Sequence, residues 1–354
     1  MTRVAVAAAV TLAAVAAAAL ARTHASANRF EVVPLVSDVG LGAPLHDRAL
    51  VNPWGLAASP SGPWWTANEA RGSSTLYSGA GRKQLLSVAV ACGPTGIVYY
   101  GGSRFRVSAN GASDPARFVF ACEDGTIRAW TPTVPAGWST SSEVVYRDPI
   151  GTAIFRGLAR AGDVVYATDF HDGRVEVLDG SWRRIDRAGR FRDPSLPQWY
   201  APFGIAVLGG RVFVTYVFRA PVDGNDAPTG GYVDEFTLGG RLVARVASHL
   251  NEPWGLALAP RGFGAFGGDL LVGDFGDGRI TAFRRAGGEW RRDGALAAAD
   301  GKPLVVNGLW ALAFGNGAAA GPRTTLFFTS GPHEWRGPTE QSVHGLLGAI
   351  RRAA

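Results

Sequence analysis

The chain has 354 residues, 47% hydrophobic and 18% charged, with 48 Gly, 21 Pro and a formal net charge of +6. That is too apolar for a disordered chain, and too punctuated by Gly and Pro for long helices or a coiled coil. The charge is small for this length. Only Lys83 and Lys302 are lysines, and the arginines are scattered, which argues against a nucleic-acid surface.

Residues 1–27 read as a cleaved signal peptide. Arg3 gives a basic start, Val4 to Leu20 is an Ala/Val/Leu run, and Ala25-Ser26-Ala27 fits the small-x-small cleavage rule. The remainder, 28–354, is then one exported domain, expected to be secreted or periplasmic, monomeric and without a stable membrane insertion. Two cysteines, Cys92 and Cys122, suggest one disulfide in such a compartment. Two free thiols or a soft-metal pair are the alternatives.

Beyond Asn28 the chain repeats itself. Pro53-Trp54-Gly55-Leu56, Pro94-Thr95-Gly96-Ile97, Pro202-Phe203-Gly204-Ile205 and Pro253-Trp254-Gly255-Leu256 each open an apolar strand. Phe155-Arg156-Gly157-Leu158 and Leu309-Trp310-Ala311-Leu312 are looser copies, and the mean spacing is about 51 residues. Asp124-Gly125, Asp172-Gly173 and Asp277-Gly278 lie between apolar runs and mark hairpin turns, because Gly tolerates positive φ. Units of this length with about four short strands are propeller blades, and none can bury both faces alone. The sequence therefore predicts an all-β, six-bladed propeller of four-stranded antiparallel blades. The last unit is one strand short, and Phe30 to Val36 is predicted to complete it and close the ring.

Several of these stretches carry a resemblance. They include Leu50 to Leu56, Glu123 to Ile127, Trp254 to Pro260, Gly273 to Ile280 and Asn307 to Trp310. On them the chain resembles an uncharacterised family of exported bacterial six-bladed propellers, distantly related to NHL-repeat and gluconolactonase-type propellers. The resemblance implies the fold and export, and brings no activity with it.

Two columns of residues are predicted to meet at one channel mouth. The first, just before the repeated Gly, holds Trp54, Thr95, Arg156, Phe203, Trp254 and Trp310. The second, at the end of strand two, holds Asn68, Glu123, Asp169, Tyr216, Asp274 and Ser330, with a register uncertain by one residue. His171 lies in a neighbouring turn. The lactonase relatives hold their metal with Asn, Asp and Glu near the first column, a set not reproduced here. The second column leaves Asn68, Glu123, Asp169 and Asp274 as candidate ligands for a divalent cation such as Ca2+. The bland reading is that each caps its own turn. The three Trp read either as a stacking surface for a flat ligand or as packing. Arg156 reads as an internal partner of Glu123 or Asp169, or as an anion contact.

There is no nucleophile elbow and no His-Glu-x-x-His helix. Gly262-x-Gly264-x-x-Gly267 matches a dinucleotide fingerprint on paper, but it falls between two strands, at the face opposite the columns. The sequence favours a binding module for a small molecule, glycan or extracellular protein, with Trp54, Arg156, Phe203, Trp254, Trp310, Tyr216 and His171 as ligand-binding candidates. The competing readings are a hydrolase or lyase with a metal or His/acid site on that face, and a structural envelope or matrix protein.

Overall fold

The computed structural model describes residues 27–185, 189–220, 230–335 and 341–353. Most of the expected signal peptide, 1–26, lies outside them. The described chain is a six-bladed β-propeller. Blade I consists of Pro53–Ala58, Trp64–Asn68, Ser73–Tyr77 and Lys83–Ala89, paired in that order from the axis outward. Blade II (from Pro94–Tyr99 to Glu143–Arg147), blade IV (from Tyr200–Leu208 to Leu242–Leu250) and blade V (from Pro253–Leu258 to Glu289–Ala295) repeat it. Blade III has three strands, Phe155–Ala161, Val164–Asp169 and Arg174–Asp179, with one bridge from Leu178 to Arg184 at its edge. In blade VI, Leu309–Phe314, Leu326–Ser330 and Leu346–Arg352 are joined on the outside by Phe30–Ser37. That first strand runs antiparallel to the last, with Phe30 opposite Arg352.

The recurring Pro-x-Gly step has a structural cause. In every blade the register of the inner strand slips at this step against strand two, as between Pro53 and Gly55 or Leu309 and Leu312. A bulge of this kind re-aims a side chain, here the residue before the Gly, which points at the axis. The Gly itself is a matter of contact distance. A Cβ on Gly55, Gly204 or Gly255 would stand 2.4, 2.3 or 2.5 Å from the carbonyl oxygen of Thr95, Trp254 or Trp310 in the next blade. Only hydrogen fits there.

Threonines at the end of strand two use the polar groups that the bulge frees. Gly157 N–H donates to Thr168 Oγ1 at 2.6 Å, and that hydroxyl donates onward to Phe203 carbonyl at 2.6 Å, tying blade III to blade IV. Thr329 Oγ1 donates in the same way to Trp54 carbonyl at 3.3 Å, across the junction where the ring closes. These hydroxyls satisfy backbone groups that would otherwise be buried without a partner.

Hydrophobic packing follows the same ring. Of the seven buried clusters among the described residues, six lie one at each junction of neighbouring blades. Trp65 stacks on Phe118 at 3.9 Å between blades I and II, and Trp64 meets Phe327 at 5.2 Å between blades I and VI. No blade has a core of its own, so stability is a property of the closed ring.

Cys92 and Cys122 form a disulfide, Cα–Cα 5.8 Å, that binds the loop entering blade II to the end of its second strand. It closes a loop 30 residues apart in sequence. On chain-entropy grounds its reduction should lower stability by about 3–4 kcal/mol. The check is a urea unfolding midpoint with and without dithiothreitol, with the Cys92→Ser, Cys122→Ser double variant as the reduced reference. Equal midpoints would show that the loop is held by its packing alone.

Candidate functional site

Five of the six residues at this step of the repeat converge, and four of their rings close the channel; the sixth, Thr95, is buried and donates its hydroxyl to the Arg156 carbonyl of blade III at 2.7 Å. Trp54 stacks on Trp310 at 3.7 Å and 19°, and Trp254 meets Trp54 edge-on at 5.1 Å. Phe203 packs on Trp254 at 4.8 Å, and Phe275 covers Trp310 at 4.0 Å. Trp54, Phe203, Trp254 and Trp310 retain 8, 1, 6 and 2% exposure, so the column is an aromatic plug whose members contact one another. Trp310 Nε1 donates to Asn52 Oδ1 at 3.0 Å, fixing its ring.

Arg156 lies against this plug, its guanidinium carbon 5.0 Å from the Trp54 ring and 5.5 Å from Phe170. Of the two partners expected, Glu123 forms the ion pair. Its carboxylate comes from one residue beyond the true strand end, because the residue paired with Pro94 is Cys122. The second column is therefore Asn68, Cys122, Asp169, Tyr216, Asp274 and Ser330.

The four candidate metal ligands do not assemble into one shell. Asn68 is wholly buried and spends its amide on its own blade, donating to Thr75 Oγ1 at 2.9 Å and accepting from Thr66 Oγ1 at 2.8 Å. Asp169 accepts from the Asp172 and Ile154 amides and lies 3.2 Å from Arg174. Burial pushes its carboxyl up to about 7. Asp274 is pushed well above the carboxylate range, first by burial and then by the charge of Asp277, and one of its oxygens has no hydrogen-bond partner. Among the described residues, the one cluster of three His, Cys, Asp or Glu side chains with converging ligand atoms is Cys92, Cys122 and Asp124. Its sulfurs are spent in the disulfide. Tyr216 is buried in the junction of blades III and IV, and His171 is half-buried in the turn after strand two of blade III.

Behind the plug the axis is open. A cavity of about 500 Å³ extends from Trp254 to the opposite face. Its lining comes from the same inner strands, read onward from the Gly. The next residue in each blade points inward: Leu56, Ile97, Leu158, Ile205, Leu256 and Leu312, each keeping 6–9% exposure. Two residues further on, Ala58, Tyr99, Arg160, Val207 and Phe314 line the mouth, with Leu258 at the rim 43% exposed. Side chains alternate along a strand, so the three tiers are one pattern sampled at every second residue. The Trp64 indole, 2% exposed, also lines the wall, and its Nε1 has no hydrogen-bond partner. Reading the alternation onward from each Gly would have found these residues.

The fold and this cavity define a six-bladed propeller with an axial chamber sealed at one end. No protein-family model matches the chain. Two uncharacterized proteins of Acanthamoeba polyphaga mimivirus are similar to it. R648 is 32% identical over 338 residues, covering 89% of this chain and 78% of its own. L690 is 31% identical over 298 residues, covering 79% and 77%. The chain belongs to the family of these mimivirus proteins. These relatives are viral and lend no support to the expectation of a bacterial family.

Solved structures share the fold at low identity. The soluble aldose sugar dehydrogenase of Escherichia coli is 13% identical with a TM-score of 0.55, over 92% of this chain and 100% of its own. A Thermus thermophilus protein described as a putative oxidoreductase (glucose dehydrogenase) is 16% identical with a TM-score of 0.54, over 90% and 99%. Virginiamycin B lyase of Staphylococcus aureus is 11% identical with a TM-score of 0.50, over 92% and 100%. Dehydrogenases and a lyase on one scaffold show that the fold does not choose the chemistry.

Proposed function

We propose that the protein is a small-molecule binding module whose ligand enters the axial chamber from the face opposite the Trp plug. One observation supports this above the others: four aromatic rings seal one end, while about 500 Å³ lined by Leu and Ile stays open at the other. A largely apolar, pre-formed concavity of a few hundred Å³ with few polar groups is the usual form of a ligand site. The disulfide supports an oxidising, extracytoplasmic location. Among the described residues, no helix is long and apolar enough to cross a membrane.

The test is thermal unfolding with a neutral aromatic probe, 1-naphthol. Binding to the folded state alone stabilises by about 2.7 kcal/mol at one hundred times Kd, so the midpoint should rise. Ile205→Trp, which fills the chamber, should abolish the rise. Glu123→Gln, on the sealed face, should preserve it. The opposite pattern would move the site back to the plug face.

A further inference from the structure

The chamber lining has one charged side chain, Arg160, and is otherwise apolar but for Ser59, Tyr99, Asn316 and the Trp64 indole. Its six inner side chains are Leu or Ile, but the next tier holds Tyr99 and Arg160 side by side, from blades II and III. Arg160 Nε donates to the Tyr99 carbonyl at 3.0 Å, Nη1 donates to the Gly162 carbonyl at 2.9 Å, and the guanidinium carbon lies 5.6 Å from the Tyr100 ring. These contacts fix its plane while spending few of its five N–H groups. No carboxylate pairs with it among the described residues, in contrast to Arg156 on the sealed face. Across the mouth stands Phe314, which offers no charge.

We infer that the chamber takes an amphiphilic carboxylate, its hydrocarbon chain among the Leu and Ile side chains and its anionic head on Arg160. This rests on the binding role assigned to the chamber. Arg matches a carboxylate with two N–H donors in one plane, and an anion at the mouth keeps its other side in water. Length is set by the tiers. From the plug to the Arg160 tier is four strand residues, about 13 Å, the span of a medium-chain fatty acid. A longer chain meets Trp254 at the floor.

The probes are decanoate and decanol, which share a chain and differ in the head, followed by octanoate. Calorimetric titration should give decanoate at least about tenfold tighter than decanol, as expected for a hydrogen-bonded charged head. Octanoate, shorter by two methylenes, should be weaker by about four-fold for each one lost. Arg160→Gln should remove the preference for decanoate and leave decanol unchanged. Arg160→Lys should keep part of the preference. Decanol binding in each variant shows that the chamber is intact. Equal affinity for decanoate and decanol in the unaltered protein overturns the assignment of the head while leaving the chamber a ligand site. So does a preference that survives Arg160→Gln. If decanoate, decanol and 1-naphthol all fail to bind, the chamber itself is not the site.

Discussion

Gly255→Val is expected to prevent the ring from closing, with a loss of at least about 4 kcal/mol or failure to accumulate as a folded chain. The Gly255 backbone is pressed against the inner strand of blade VI, where an added Cβ would lie 2.5 Å from the Trp310 carbonyl oxygen and 2.8 Å from Leu312 Cγ. Both branches of Val extend further into the same space. Relief would require blades V and VI to separate, opening the cluster that includes Phe263, Leu271, Leu309 and Phe328. Blade VI supplies the internal control, because Ala311 occupies the equivalent position and the ring already accommodates its methyl group. Ala311→Gly should cost only about 1 kcal/mol, the ordinary penalty for Gly in a strand. Both are measured as urea midpoints followed by Trp fluorescence. A Gly255→Val midpoint close to that of the unaltered protein would mean that the blades are not tightly apposed, and the account of the repeated Gly would be wrong.

This contact explains both what could be read in the sequence and what could not. A Gly at five of the six junctions, with Ala311 at the sixth, leaves a periodic trace, so six units and their inner strands were visible from Pro53-Trp54-Gly55 and its copies. The Asp-Gly turns were visible for a similar local reason, since Gly125, Gly173 and Gly278 all have positive φ. That the residue before the Gly faces the axis also followed from the repeat. What happens at the axis did not. Three Trp and a Phe converging on one point fill it, and whether rings meet each other or a ligand depends on the channel radius, which is a property of the assembled ring. The single-residue slip that put Cys122 rather than Glu123 opposite Pro94 is similar, because a bulge changes register without changing composition. The open chamber was legible in principle, two and four residues beyond the Trp column. It was masked because Leu56, Ile97 and their equivalents look like ordinary core residues.

The sealed face carries its own charge network, and Arg174→Met is expected to cost about 3–5 kcal/mol at pH 8, the range for stranding buried charges, and distinctly less at pH 5. Arg174 is 29% exposed, but it stands among three carboxylates whose side chains are wholly buried: Asp169 at 3.2 Å, Glu176 at 2.7 Å and Asp148 at 3.8 Å. Asp172 adds a fourth at 2.7 Å. Burial holds Asp169 at about 7 even with the guanidinium beside it. A carboxyl raised above its ordinary value of 3.8 binds its proton more tightly in the folded state. Its contribution is therefore complete below about pH 4 and is lost as pH rises through 7. Removing Arg174 raises this carboxyl further, so the loss extends to higher pH and grows across the neutral range. Asp148 behaves in the opposite sense. Burial pushes it up, but the amides of Ala153, Thr152 and Gly151 outweigh burial and hold it below the ordinary range. Those donors survive the substitution, so Asp148 largely cancels in the comparison. Urea midpoints at pH 5, 6, 7 and 8 for the unaltered protein and Arg174→Met measure the difference. A cost that stays constant across this range would show that the lost stability comes from the packing of the Arg174 stem, with no part from its charge.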